Sequence, residues 1–136
     1  MLFTRASEYA LMSLVLIARH QEPQDTESLA HTLGISKSFL AKILQGLARE
    51  KVLQSFKGAK GGFVLAKEPE MISVLDIIRA IDGKSANVFE CSSALEDCPS
   101  GENKAAICAI WPFLNKLQGR IDGFLSDITL SDMLTD

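Results

Sequence analysis

The chain is poor in the residues that small-molecule chemistry calls for. Its two histidines, His20 and His31, both lie within the first 31 of 136 residues, and no Ser/His/acid set for nucleophilic catalysis is apparent. Its three cysteines include no C-x-x-C pair, so a structural zinc framework is not indicated. The longest apolar stretch, Ala10 to Ala18, is interrupted by Ser13 and ends in Arg19-His20, far short of the roughly 20 residues that span a bilayer. No small-residue cleavage site follows it, so it does not read as a signal peptide either. The expectation is a cytoplasmic protein that is not an enzyme and has no membrane partner.

What is present is an ordinary globular composition, 47% hydrophobic and 23% charged, which argues against disorder over most of the chain. The length suits one domain with a small appendage. The net charge of −3 hides a split. Residues 1–67 hold nine Lys+Arg against five Asp+Glu, or +4, and residues 68–136 hold five against twelve, or −7. A basic half can meet a polyanion that the acidic half repels.

The pattern is mostly helical. Thr4 can cap a helix running to about His20, with Ala6, Tyr9, Ala10, Leu14 and Ile17 near a 3.6-residue period. Thr26 can cap a short helix closed by Gly34, and Ser36 the next, about Lys37 to Lys51, whose stripe is Leu40, Ile43, Leu44 and Leu47. Two short helices joined by Leu33-Gly34-Ile35-Ser36 predict a helix-turn-helix. Alternation over Val52–Phe56, the run Lys57-Gly58-Ala59-Lys60-Gly61-Gly62 and then Phe63-Val64-Leu65 predict a β-hairpin with a basic, glycine-rich tip. The tip lacks the G-x-x-x-x-G-K-[ST] order of a nucleotide-binding loop. Helix-turn-helix plus hairpin is a winged helix.

Ser73 with Asp76 forms a capping box for a helix ending at Asp82-Gly83. Residues 84–103 show no period. From about Lys104 to Asp127, apolar residues at Ile107, Leu114, Ile121 and Ile128, and at Ile110/Trp111, Leu117 and Phe124/Leu125, come close to a heptad seam. Pro112 should kink this helix or mark its start, and a seam centred on Leu114, Leu117 and Ile121 predicts a homodimer. Thr129 with Asp132 can cap a final turn. The expected class is mainly α. A winged helix-turn-helix DNA-binding domain (1–83) is followed by a cysteine-bearing sensor loop (84–103), then a long C-terminal dimerisation helix and tail (104–136).

Three stretches carry a resemblance: Ser7-Glu8-Tyr9-Ala10-Leu11; Leu29-Ala30 through Ile35-Ser36-Lys37-Ser38-Phe39-Leu40; and Gly58-Ala59-Lys60-Gly61-Gly62-Phe63 with Ile72 to Gly83. In this order the chain resembles the winged-helix iron–sulfur transcription regulators of bacteria, of the IscR, NsrR and RirA type. The resemblance implies a homodimer on double-stranded DNA, with a recognition helix in the major groove and the wing on the backbone or minor groove. Ser36, Lys37 and Ser38 open the candidate recognition helix, where side chains reach base edges, and Lys42 lies one turn on. Lys57 and Lys60 would neutralise phosphates from the wing tip.

Cys91, Cys98 and Cys108 fall within one 18-residue stretch. The resemblance implies that they hold an iron–sulfur cluster, 2Fe–2S or 4Fe–4S, for which thiolates are suitably soft donors. The nine residues before Cys108 exceed the family's usual interval, and no histidine follows it. The fourth ligand must then come from elsewhere in the chain or be exogenous, and the resemblance points to Glu8 of the partner subunit. The cysteines' own chemistry leaves other readings open: a thiol switch between Cys91 and Cys98, zinc with an acid such as Asp97, or packing of Cys108. A winged-helix module that binds protein is the alternative to DNA binding altogether.

Overall fold

The structure, a computed structural model, describes residues 3–59, 61–83 and 111–134. Helix α1 (Arg5–Ala18) starts at Thr4, whose side chain accepts from the Ser7 backbone N–H while the Ser7 hydroxyl accepts from that of Thr4. It ends two residues earlier than expected. Helix α2 (Thr26–Leu33) is capped by Asp25, not by Thr26: the Asp25 carboxylate accepts from the Ser28 N–H at 2.8 Å, and Thr26 is the first helical residue. Asp outranks Thr as an N-cap, and only one of two neighbours can hold the extended capping conformation. Gly34, at φ 69°, closes α2 in the left-handed region.

Helix α3 (Lys37–Arg49) is capped by Ser36, whose hydroxyl accepts from the Phe39 N–H at 3.2 Å. It stops short of Lys51, which adopts φ 63° and turns the chain into strand β1 (Leu53–Phe56). Strand β2 (Gly62–Leu65) pairs antiparallel with β1, Leu53 opposite Leu65 and Phe56 opposite Gly62. Strands of four residues make a marginal hairpin by themselves. Here a third rung supports it: Gln24, in the α1–α2 connection, exchanges two backbone hydrogen bonds with Phe63, at 3.1 and 2.9 Å.

A short 3-10 turn (Pro69–Met71) leads to helix α4 (Val74–Asp82), which starts with the expected Ser73/Asp76 capping box and ends at Gly83. Helix α5 (Trp111–Asp127) holds Pro112 in its first described turn. Helix α6 (Leu130–Leu134) follows, with the Thr129 N–H donating to the Asp132 carboxylate as the pattern suggested. The C-terminal segment is stitched to the start of α4: Val74 N–H donates to Ile128 C=O at 2.9 Å, and Leu130 N–H to Ile72 C=O at 2.8 Å.

The main core joins α1, α2, α3, β1 and the start of α4 through Ala10, Leu14, Leu29, Leu40, Leu44, Leu47, Leu53 and Ile77. A second cluster joins α4 to α5 through Val74, Leu75, Ile78 and Leu125, with Ile121 and Ile128 packed against it. This corrects the heptad seam. Ile121 and Ile128 turn onto their own chain, because α4 offers an apolar face within reach. Phe113 and Phe124, 66% and 63% exposed, remain on the outer side of α5.

Candidate nucleic-acid interface

Helix α3 is divided cleanly. Leu40, Ile43, Leu44 and Leu47 are buried, and this face fixes the helix on α1 and α4. Ser38, Lys42, Gln45 and Arg49 are exposed and recur at i, i+4, i+7 and i+11, one stripe along the opposite face. On the adjoining flank Phe39 meets Tyr9 of α1 edge-on, ring centroids 5.9 Å apart.

The expected contact residues take different positions on this frame. Ser38 and Lys42 lie on the outward stripe. Ser36 spends its hydroxyl oxygen on the cap. Lys37 is exposed but turned sideways toward α2, its Nζ 4.0 Å from the Glu27 carboxylate. Hydrogen bonds from Ser28, its side chain first and then its backbone N–H, hold the Asp25 carboxyl below its usual range, and the Lys37 charge adds to that effect. The Lys37 ammonium therefore already sits among anions. Lys37 also lines a cleft with Ser55, Phe56 and Gly58 of the hairpin, which puts the wing beside the start of α3. Lys57 is exposed next to the wing tip.

Sequence reasoning passed over Gln45 and Arg49. The heptad and hendecad spacing from Ser38 was the signal that could have found them, since those steps return to the same helix face. Glu8 is exposed on the first turn of α1, and among the described residues nothing hydrogen-bonds its carboxylate. Lys60, Cys91, Cys98 and Cys108 lie outside the described residues. No helix of the described residues is long and apolar enough to cross a membrane.

A capped helix-turn-helix with a polar stripe on its second helix, flanked by a hairpin with basic residues, defines a winged-helix DNA-binding protein. Comparison with known proteins agrees. The model of the Rrf2 family, described as iron-dependent transcriptional regulators, matches residues 3–136. The chain belongs to that family, whose members are transcription regulators and not enzymes. YffB of Lactococcus lactis, named as an HTH-type transcriptional regulator, is 33% identical over 93% of this chain and 82% of its own. The structure of CymR, the global cysteine regulator of B. subtilis, is 27% identical, covers 98% of each chain and superposes with a TM-score of 0.72. That of T. potens IscR is 28% identical, covers 97% of this chain and 85% of its own, and gives a TM-score of 0.70.

Proposed function

We propose that the protein is a cytoplasmic, homodimeric transcription regulator that reads redox, nitric oxide or iron status through an iron–sulfur cluster. Residues 1–83 are its DNA-binding domain, 84–103 its sensor loop and 104–136 its dimerisation helix and tail. Ser36, Ser38 and Lys42 face the major groove, Lys37 exchanges its carboxylate partner for a phosphate, and Lys57 and Lys60 hold the backbone from the wing. The observation that carries the sensing role is the membership of a family of iron-dependent regulators in a chain whose three cysteines are gathered in 18 residues.

The donor set fits the group. Cys91, Cys98 and Cys108 offer soft anionic thiolates, and Glu8 of the partner subunit offers a carboxylate with no competing partner among the described residues. When bound, the cluster supplies a centre whose ligation responds to oxidant, nitric oxide or loss of iron. What this chain adds is a short mechanical link. Glu8 precedes Tyr9, and the Tyr9 ring bears directly on Phe39 in the first turn of the recognition helix. A shift of α1 at Glu8 is thereby passed to the residues that meet DNA. Exposed Phe113 and Phe124 on α5, with half-buried Leu117 beside them, supply apolar surface for the second copy.

Purification under argon tests the sensing role. Brown protein containing iron and sulfide is expected, and replacing Cys91, Cys98 or Cys108 by Ala should remove the visible absorbance. Glu8→Ala should alter the spectrum or shorten the cluster's lifetime. Colourless wild-type protein would refute the cluster. The likeness to the cysteine regulator CymR favours a second reading, a cluster-free thiol switch, in which diamide oxidation of Cys91 and Cys98 changes DNA affinity. Unchanged affinity after diamide would refute that one.

A further inference from the structure

The outward stripe of α3 contains a side chain to which no role has been given. Gln45 is exposed, and no hydrogen bond among the described residues uses its carboxamide. Both its donor and its acceptor are therefore free. It stands on the best-fixed part of the helix, between Leu44 and Leu47, both fully buried. Its neighbour Gly46 faces α4, where a Cβ would stand in ordinary contact with Ile81 at 3.9 Å and the Ala80 carbonyl at 4.0 Å. A long side chain on a rigid, outward helix face is well placed for base readout.

We propose that Gln45 is a specificity-determining residue that reads an adenine in the major groove. The chemistry follows from the groups. An adenine edge offers an acceptor at N7 and a donor at N6, and a carboxamide returns a donor and an acceptor in the same plane. The ammonium of Lys42 has no acceptor, and a hydroxyl such as that of Ser38 must donate and accept from a single atom, whereas the carboxamide spans the two positions with two. Seven residues separate Gln45 from Ser38, which is about 10 Å along the helix axis. At about 3.4 Å per base step, that puts the adenine roughly three base pairs from the pair met by Ser38. Arg49, one turn further on the same stripe, is then positioned for the next phosphate.

The inference rests on DNA binding through α3, and its test keeps the two apart. Purified full-length dimers of wild type, Gln45→Ala, Gln45→Glu and Lys42→Ala are each used to select duplexes from a randomised library, and the enriched sequences are compared. Wild type should show a preference for adenine at one position in each half-site. Gln45→Ala should lose the preference at that position alone, with discrimination falling about tenfold or more. Gln45→Glu should replace adenine by cytosine there, because a carboxylate accepts from the cytosine amino group. Lys42→Ala serves as the contrast, weakening binding without touching that position. Gln45→Ala selecting the wild-type sequence, or losing affinity evenly at all positions, would overturn the assignment. If wild type itself enriches no sequence, the reading of α3 as the recognition helix falls with it. Gln45 is exposed, so a thermal melt matching wild type is expected to accompany each variant.

Discussion

Replacing Gly62 by Ala should detach the wing. Gly62 begins β2 at φ 153°, and its Cα lies against the backbone of the α1–α2 connection. A Cβ placed there would stand 2.6 Å from both C and O of Gln24 and 3.0 Å from the Asp25 nitrogen. These are backbone atoms, which cannot swing aside as a flexible side chain does. The chain must separate at this point, and the two hydrogen bonds between Gln24 and Phe63 are the first to be lost. Each such bond is worth about 0.5–1.5 kcal/mol. An L-residue forced into positive φ adds about 1–2 kcal/mol. The sum is about 2–5 kcal/mol, a large part of the roughly 5–15 kcal/mol that a domain has in hand.

Gly58 supplies a matched control. It also has a positive φ, 110°, but a Cβ there meets nothing within 4 Å. Gly58→Ala should therefore cost only the conformational part, about 1–2 kcal/mol. Urea unfolding of the two variants measures both, with unchanged slopes expected if each acts on the native state. The wing should also drop out of DNA binding in Gly62→Ala. The dependence of affinity on salt should flatten, as is also expected of Lys57→Ala, and the double variant should be no worse than Gly62→Ala alone. Equal losses of stability in Gly58→Ala and Gly62→Ala would refute the close approach as the reason. Additive effects with Lys57→Ala would refute the claim that Gly62 places the wing.

Glu27→Gln should raise DNA affinity, because the Lys37 ammonium no longer has to leave a carboxylate to reach a phosphate. Exposed pairs of this kind are worth about 0.2–1 kcal/mol, or up to about fivefold per subunit, measurable by fluorescence anisotropy at low salt. Leu117→Asp should yield monomers in sedimentation, since half-buried Leu117 adjoins the exposed Phe113 and Phe124 on one flank of α5. A stable dimer would turn that face inward or place the interface elsewhere. The Asp25 carboxyl has a folded pKa below its unfolded value, so its contribution is present above about pH 4 and is lost as pH falls through the folded value. Asp25→Asn keeps a cap and should remove that part of the acid slope in urea titrations.

Much of the architecture was legible because local chemistry and core packing point the same way. Ser36, Gly34 and the Ser73/Asp76 box sit where helix ends must lie, and the structure uses each as the pattern suggests. The α2 cap was less legible because Asp25 and Thr26 are both able caps, and the local preference for Asp25 is joined by a contact from a distant element. Gln24 is held to Phe63 of the wing, which fixes the extended conformation through Asp25. A contact across nearly forty residues leaves no mark on the local pattern. The same holds for Lys37. Its position at the start of α3 predicts a DNA contact, yet its neighbour across the turn, Glu27, becomes visible only when α2 and α3 are set side by side.

Helix α5 shows the limit of periodicity most clearly. Its apolar residues cover an arc too broad for one partner, and a heptad count cannot say how the arc is divided. The division follows from α4, whose hydrophobic side carries Val74, Leu75 and Ile78. These need cover, and Ile121, Leu125 and Ile128 provide it from the same chain. Phe113 and Phe124 stay outward, with half-buried Leu117 at their border. One helix thus packs on α4 with one edge and leaves the other edge for the proposed second copy. A rigid link of this sort matters for the proposed function. If the second copy docks on the outer edge, any change in how the two α5 helices cross is carried through Leu125 to α4, and through α4 to α3 at Gly46. The spacing of two recognition helices, and with it their fit to half-sites about one helical turn apart, is then set by packing that a single chain already contains.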